Sequence, residues 1–138
     1  QEINLIMSYG KFDLVHFNNG LHGWEYTEDE YDAAFPDMIK AIRKNAPNAK
    51  LIWATTTPIR TGKYCERLEE RVARIVTRNE IAQKHISKAK DIKTNDLFNL
   101  ILDHPEYFIG GDGVHPIDKG YQVLAEQVAK KILESLSE

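Results

Sequence analysis

Two short apolar stretches, residues 12–17 (FDLVHF) and residues 50–55 (KLIWAT), are the clearest indication of the fold. The first runs into the turn sequence Asn18-Asn19-Gly20, and the second ends shortly before a proline, so each reads as a buried strand that stops at a turn. Their apolar residues are nearly continuous, which is typical of parallel strands covered on both faces. We therefore predict that both stretches belong to one parallel sheet.

A helix is predicted between these two strands. Thr27 and Glu30 form a capping-box pattern at its start. Pro36 removes one backbone donor inside the helical pattern, so we expect a kink or a break near Phe35. The apolar residues that recur at helical spacing are Tyr31, Ala34, Phe35, Met38, Ile39 and Ile42. This part of the chain is therefore a strand-helix-strand unit.

The rest of the chain continues the alternation of helices and strands. We predict a short helix within residues 3–9, a long helix over 66–89, a weak strand at 91–95, a short helix at 96–102 and a final amphipathic helix at 117–136. The residues of the final helix that should face inward are Tyr121, Leu124, Ala125, Val128 and Ile132. Such alternation predicts an α/β fold, a three-layer sandwich with a mostly parallel sheet.

The number of visible strands is small for such a sheet. Only about three are recognisable, whereas covered sheets usually have roughly five or six. The first strand also begins soon after Gln1. We therefore expect residues 1–138 to form one domain, with an N-terminal portion that precedes Gln1 or is supplied by a separate chain.

Composition argues against several classes of protein. The 138 residues are 42% hydrophobic and 28% charged, which suits one globular domain. Eighteen Lys+Arg and 21 Asp+Glu are interspersed and give a net charge of -3, which argues against a nucleic-acid binder. Cys65 is the single cysteine, so no intrachain disulfide can form, and both a cytoplasmic and a secreted or periplasmic location stay open. No apolar run is long enough for a membrane span.

Two loops are candidates for chemistry, because ligands of open α/β sheets collect beyond the carboxyl ends of the strands. Residues 18–24 (NNGLHGW) offer two amides and His22 beside glycine, although an Asn-Gly turn with solvated side chains explains them about equally well. In residues 110–116 (GGDGVHP), Asp112 lies three residues before His115 and could orient its imidazole as a general base. The alternative is an exposed loop in which these two residues are chance neighbours.

A resemblance to a known family favours the catalytic interpretation. Residues 112–116 (DGVHP), followed by Gly120-Tyr121 and an amphipathic helix, resemble the last conserved block of the SGNH, or GDSL, hydrolases. The resemblance extends from Asp13 to the final helix and implies a flavodoxin-like α/β fold and the Ser-His-Asp triad of an esterase or acylhydrolase, without a cofactor. It implies that Asp112 is the orienting acid and His115 the base.

The sequence departs from this family in two respects. The family's Gly-x-Asn-Asp resembles residues 20–23 (GLHG), so His22 replaces the oxyanion-binding Asn and Gly23 replaces Asp. Either His22 donates to the oxyanion, or Asn19 or Asn18 takes that role, since both residue types can donate a hydrogen bond. No Gly-Asp-Ser occurs, and the four serines, Ser8, Ser87, Ser135 and Ser137, read as helical. We therefore expect the nucleophile outside this chain, and the chain alone to be inactive.

Three further features have competing interpretations. Trp24 is a candidate substrate-binding platform for a sugar or an acyl group, but it could equally cover the edge of the core. Asn79 lies on the apolar face of the long helix, so we expect its amide to bond a neighbouring loop. His22, Asp112 and His115 are allowed zinc ligands, yet their spacing matches no metal signature, and no metal site is predicted.

Two hypotheses for function follow. The first is an SGNH-type carboxylic ester hydrolase that acts on an acylated or acetylated carbohydrate or on another small acyl ester. The alternative is a non-catalytic ligand-binding or interaction domain derived from the same fold. A Gly-Asp-Ser sequence upstream of Gln1 would favour the hydrolase.

Overall fold

A computed structural model of the chain describes residues 2–62 and 68–138. Its elements in chain order are α1 (Glu2–Met7), β1 (Leu14–Phe17), α2 (Glu28–Asn45), β2 (Lys50–Ala54), α3 (Leu68–Lys88), β3 (Ile92–Asn95), α4 (Leu97–Leu102), a 3-10 helix (Pro105–Phe108) and α5 (Asp118–Leu136). The 3-10 helix is the element that the sequence did not predict. Cys65 and the predicted start of the long helix at residue 66 lie outside the described residues. Within those residues, no helix combines the length and apolarity that a membrane span requires.

The three strands form one parallel sheet in the order β1-β2-β3. Leu14 pairs with Lys50 at the start of β1, and Leu51 pairs with Ile92. Parallel pairing brings the carboxyl ends of all three strands to one edge of the sheet. The loops that follow the strands therefore lie close to one another at that edge.

Helices cover both faces of the sheet. On one face, Leu51 and Trp53 of β2 form the main core with Phe35 of α2 and Ala82 of α3. Side chains alternate along a strand, so Ile52 points to the opposite face, where α5 contacts β1 and β2. The predicted α/β three-layer sandwich with a parallel sheet is confirmed.

Helix α2 begins as predicted but does not break. The hydroxyl of Thr27 accepts the backbone N–H of Glu30 at 3.2 Å, and the Glu30 carboxylate accepts the N–H of Thr27 at 2.8 Å. Of the kink or break expected near Phe35, the break is wrong, because α2 runs through Pro36 as one helix. Proline removes one helical hydrogen bond, whereas the buried side chains of Phe35 and Ile42 hold both halves of the helix against the same core.

Helix α5 is covered less completely than its sequence predicts. Its buried residues are Gly120 and Ser135, and the predicted core positions Tyr121 and Ala125 are exposed. The other three predicted positions, Leu124, Val128 and Ile132, are half-buried. The described sheet has three strands, of which α5 packs against β1 and β2. All four residues of β1 are likewise half-buried, so the open part of this face lies beside β1.

Candidate active site

Asp112 and His115 form a hydrogen-bonded pair in the loop before α5. Oδ2 of Asp112 lies 2.6 Å from Nδ1 of His115, so the two residues are in contact and not merely neighbours in sequence. Oδ1 of Asp112 accepts the backbone N–H groups of His115 at 2.7 Å and Val114 at 2.8 Å. Asp112 accepts hydrogen bonds from the backbone and the ring of His115 and from the backbone of Val114. These bonds lower the pKa of Asp112 to about 2. An ionised Asp112 favours the proton on Nδ1, so Nε2 of the exposed imidazole is left as a proton acceptor.

The loop after β2 holds this pair in place. The backbone N–H of Arg60 donates to the carbonyl of Gly113 at 2.7 Å. Gly113 has a φ of 82°, which favours glycine at that position. A Cβ atom at Gly62 would lie 2.3 Å from the carbonyl carbon of Asp112, so only glycine fits there. Neither Arg60 nor Gly62 was predicted from the sequence, because a turn-forming segment carries no sign of a contact about fifty residues along the chain.

His115 and His22 line the same cavity, which has a volume of about 220 Å³. The loop after β1 and the loop before α5 therefore face one cleft at the carboxyl edge of the sheet, as the sequence predicts. The remaining walls are mainly apolar and consist of Leu21, Trp24, Ile59 and Val114, together with Arg71. A larger cavity of about 510 Å³ lies between α3 and the start of α4 and contains neither histidine.

The loop that carries His22 is fixed by a buried arginine of α3. Arg78, whose side chain is 1% exposed, donates to the carbonyl oxygens of His22, Gly23 and Tyr26, each at 2.9 Å. It also donates to Glu28 Oε1 at 3.2 Å. Arg78 was not predicted from the sequence, because a helical arginine is usually solvated and the carbonyl groups that it bonds lie more than fifty positions earlier.

A second arginine of α3, Arg74, bonds the same loop and the same carboxylate. Arg74 donates to Glu28 Oε1 at 2.7 Å and to the carbonyl of Trp24 at 2.7 Å. Burial raises the pKa of Glu28, but the hydrogen bonds and charges of Arg74 and Arg78 outweigh it, so the pKa lies below its ordinary value. An ionised Glu28 therefore balances part of the positive charge behind the loop.

Of the three residues considered for the oxyanion, the structure brings only His22 to the cavity of His115. Asn18 donates its amide to the carbonyl of Ala54 at 2.8 Å and to the hydroxyl of Thr56 at 3.2 Å, so it joins the ends of β1 and β2. Asn19 lines a neighbouring cavity, and its Nδ2 atom lies 3.7 Å from the sulfur of Met38. The predicted oxyanion role of Asn19 therefore has no geometric support here.

Two other predicted residues have defined contacts. Asn79 accepts the backbone N–H of Thr56 at 2.8 Å and donates to its carbonyl at 3.0 Å, which confirms the expected bond to a neighbouring loop. Trp24 packs against the buried cluster of Ile59 and Ile75 and also lines the cavity of His115. Trp24 therefore covers the edge of the core and also faces the cavity, as the two interpretations of this residue expected.

The described cleft contains neither a serine nor a metal-binding cluster. Ser8, Ser87 and Ser137 each donate their hydroxyl to a carbonyl about one helical turn earlier. Ser135 is buried beside Lys50, at the opposite end of the strands. Within residues 2–62 and 68–138, no three His, Cys, Asp or Glu side chains are grouped to hold a metal ion.

A comparison with known protein families gave a match over most of the chain. The sequence model of the GDSL-like lipase/acylhydrolase family matches residues 5–128. The chain belongs to this family. No curated protein gave a significant match to this GDSL-like chain.

Solved structures share the fold of this GDSL-like chain. A GDSL-like lipase from Bacteroides thetaiotaomicron has a TM-score of 0.70 at 20% identity, over 89% of this chain and 63% of its own. A lipase/acylhydrolase from Enterococcus faecalis has a TM-score of 0.66 at 21% identity, over 87% and 60%. A family two carbohydrate esterase from Clostridium thermocellum has a TM-score of 0.60 at 18% identity, over 95% and 38%. The chain thus spans less than two thirds of each of these structures.

The depressed pKa of Asp112 predicts a specific dependence of stability on pH. A carboxyl group whose pKa falls from 3.8 to about 2 on folding stabilises the protein above pH 3.8 and loses this contribution as the pH drops towards 2. We expect Asp112→Asn to lower the urea midpoint at pH 7, and the difference from wild type to shrink between pH 4 and pH 2. The control Asp37→Asn breaks an exposed pair with Lys40 and should have little effect at any pH. A difference for Asp112→Asn that stays constant down to pH 2 would contradict the assignment.

Proposed function

We propose that this chain is the His-Asp part of a serine-dependent carboxylic ester hydrolase. The observation that carries the proposal is that the Asp112–His115 pair and His22 open into one cavity. Membership of the GDSL-like lipase/acylhydrolase family supports the same reaction class.

In the proposed mechanism, Nε2 of His115 accepts the hydroxyl proton of a serine as the serine oxygen attacks the ester carbonyl carbon. A ring N–H of His22 donates to the oxyanion that forms, in place of the amide that the family uses. His115 then gives its proton to the leaving alcohol, and water releases the acyl group from the serine by the same route. Asp112 holds the imidazole in the required orientation throughout.

The serine of this mechanism is supplied by a segment outside the chain. The half-buried residues of β1 and the uncovered stripe of α5 support this proposal, because an additional strand beside β1 would cover both. The chain spans 63% and 60% of two related structures, so those proteins contain further residues to which such a segment could correspond. Whether that segment is continuous with this chain or separate does not alter the chemistry. Without it, the chain is expected to be inactive.

The substrate is proposed to be a small acyl ester, among which acylated or acetylated carbohydrates are the first candidates. The cavity of His115, at about 220 Å³, has room for a short acyl group, and its walls are mainly apolar. The carbohydrate esterase among the solved structures of similar fold supports a test of sugar esters.

Substitutions at His22 test the proposed function in the protein that includes the serine-bearing segment. We expect His22→Leu to lower kcat for 4-nitrophenyl acetate by about 10²–10³-fold, since the loss of one oxyanion donor has an effect of that size. His22→Asn is the matched variant, and it should keep most of the activity because its amide is also a donor. Equal activity of wild type and His22→Leu would exclude His22 as the donor, and the absence of ester hydrolysis in wild type would favour a non-catalytic domain.

A further inference from the structure

The loop of His22 also contacts the segment that follows β2. The Oγ1 atom of Thr56 accepts a hydrogen bond from the amide of Asn18 at 3.2 Å. Gly20 lies against the same side chain, since a Cβ atom at Gly20 would be 2.4 Å from Oγ1 of Thr56. Thr56 is 2% exposed and Gly20 is also buried. The contact is thus enclosed by described residues and does not depend on what covers the open edge at β1.

Thr56 is fixed from the side of α3. Asn79 accepts the backbone N–H of Thr56 at 2.8 Å and donates to its carbonyl at 3.0 Å. Both polar groups of the Thr56 backbone are therefore held, and the amide of Asn18 restrains the hydroxyl. When an atom is added between Gly20 and Thr56, the loop of His22 is the side that has to move.

The same segment also contacts the loop before α5. The backbone N–H of Arg60 donates to the carbonyl of Gly113 at 2.7 Å. Ile59 belongs to the buried cluster against which Leu21 and Val114 pack, one from each loop. The residues after β2 therefore lie between the two loops and contact both.

We propose that Thr56 is a positioning residue, which sets the place of His22 relative to His115. Its side chain fixes one loop, and Arg60, further along the same segment, fixes the other. An oxyanion donor and a general base act on one ester group, so catalysis depends on the separation between them. The catalytic role of Thr56 rests on the proposed hydrolase function, whereas its contact with the loop does not.

Gly20→Ala tests this role in the full-length protein. Gly20 does not have a positive φ, so alanine is excluded there by space and not by backbone conformation. The contact of 2.4 Å has to lengthen by about 1 Å to become ordinary, and a displacement of that size should lower kcat for 4-nitrophenyl acetate by about 10²-fold. Gly10→Ala is the matched control, because no described atom beyond its chain neighbours lies within 4 Å of a Cβ there.

Thr56→Ala provides a compensating change. It removes Oγ1 and leaves Cβ, which lies 3.4 Å from the added methyl, an ordinary contact distance. We expect kcat of Gly20→Ala/Thr56→Ala to return to the level of Thr56→Ala, so the two changes are strongly non-additive. Circular dichroism gives the folded fraction to which kcat is referred.

Thr56→Val is a second variant that does not add volume. It keeps the shape of the side chain and removes the acceptor of the Asn18 amide, so kcat should fall by about fivefold, the equivalent of one hydrogen bond. Thr56→Ser retains the hydroxyl and should restore kcat. Thr55→Val is the matched control, because it removes a buried hydroxyl that bonds Asp96 and neither catalytic loop. It should leave kcat unchanged.

A measurement without catalysis separates this proposal from the hydrolase proposal. The amide cross-peak of His22 in a proton–nitrogen correlation spectrum should move in Gly20→Ala and return in the double variant to its place in Thr56→Ala. Additive effects of the two changes, or equal kcat of wild type, Gly20→Ala and Thr56→Val, overturn the positioning role. If the cross-peak returns but wild type hydrolyses no ester, the hold of Thr56 on the loop is supported and the hydrolase alone is overturned.

Discussion

His115→Ala is expected to lower kcat/KM for a short-chain aryl ester by about 10³–10⁴-fold in the protein that includes the serine-bearing segment. His115 is the only imidazole that bonds a carboxylate within the described cleft, so its loss removes the proton acceptor beside the serine. The measurement is steady-state hydrolysis of 4-nitrophenyl acetate, with circular dichroism to verify the fold. Alanine should preserve the fold, because the imidazole is 66% exposed.

His104→Ala is the control for this prediction. His104 also pairs with a carboxylate, Glu106, at 2.8 Å, and its ring stacks on Tyr107. It does not line the cavity of His22 and His115. Activity of His104→Ala should therefore match wild type, and equal losses in both variants would mean that His115 acts through the fold and not as the base.

Arg78→Met is expected to reduce the free energy of unfolding by about 3–5 kcal/mol, the usual result of removing one member of a buried charged network. Three loop carbonyls would lose the donor that now lies 2.9 Å away, and methionine fills a similar volume without replacing it. Urea unfolding measures the change. Since the same carbonyls belong to the loop of His22, a partial loss of esterase activity in the folded fraction should accompany the loss of stability.

Arg43→Met is the matched substitution at a more exposed position. Arg43 donates to the carbonyl of Ala49 at 2.7 Å and pairs with the exposed Asp91 near the amino ends of the strands. We expect a loss of about 1 kcal/mol and no change in activity. Equal destabilisation by both substitutions would contradict the view that Arg78 is specifically responsible for the loop of His22.

The parts of this structure that the sequence predicted are those set by local pattern. Asp112 and His115 lie three residues apart, so one loop conformation decides their contact. The strands β1 and β2 are apolar runs bounded by turn residues, and their parallel pairing brings the loops that follow them to one edge. The loop of His115 is joined to the second of these loops by the bond from Arg60 to Gly113. The capping box of Thr27 and Glu30 is likewise contained within one helical turn.

The parts that the sequence did not predict depend on contacts between distant segments. Nothing in the pattern of α3 indicates that Arg78 is buried against the loop of His22. The apolar stripe of α5 predicts burial of Tyr121, but Tyr121 is exposed. Its burial depends on the strands opposite α5, which the sequence of the helix does not reveal. Asn19 and His22 are only three residues apart and line one cavity together, but only His22 also lines the cavity of His115.

We propose that His115 activates a serine supplied from outside residues 1–138. Labelling of the full-length protein with a fluorophosphonate, followed by peptide mass spectrometry, tests this activation, because the reagent reacts with an activated serine. We predict a single adduct on a serine outside the 138 residues, which is lost in His115→Ala and kept in His104→Ala. The proposal would be wrong if the adduct lay on Ser8, Ser87, Ser135 or Ser137, or if the ester were hydrolysed without any serine adduct.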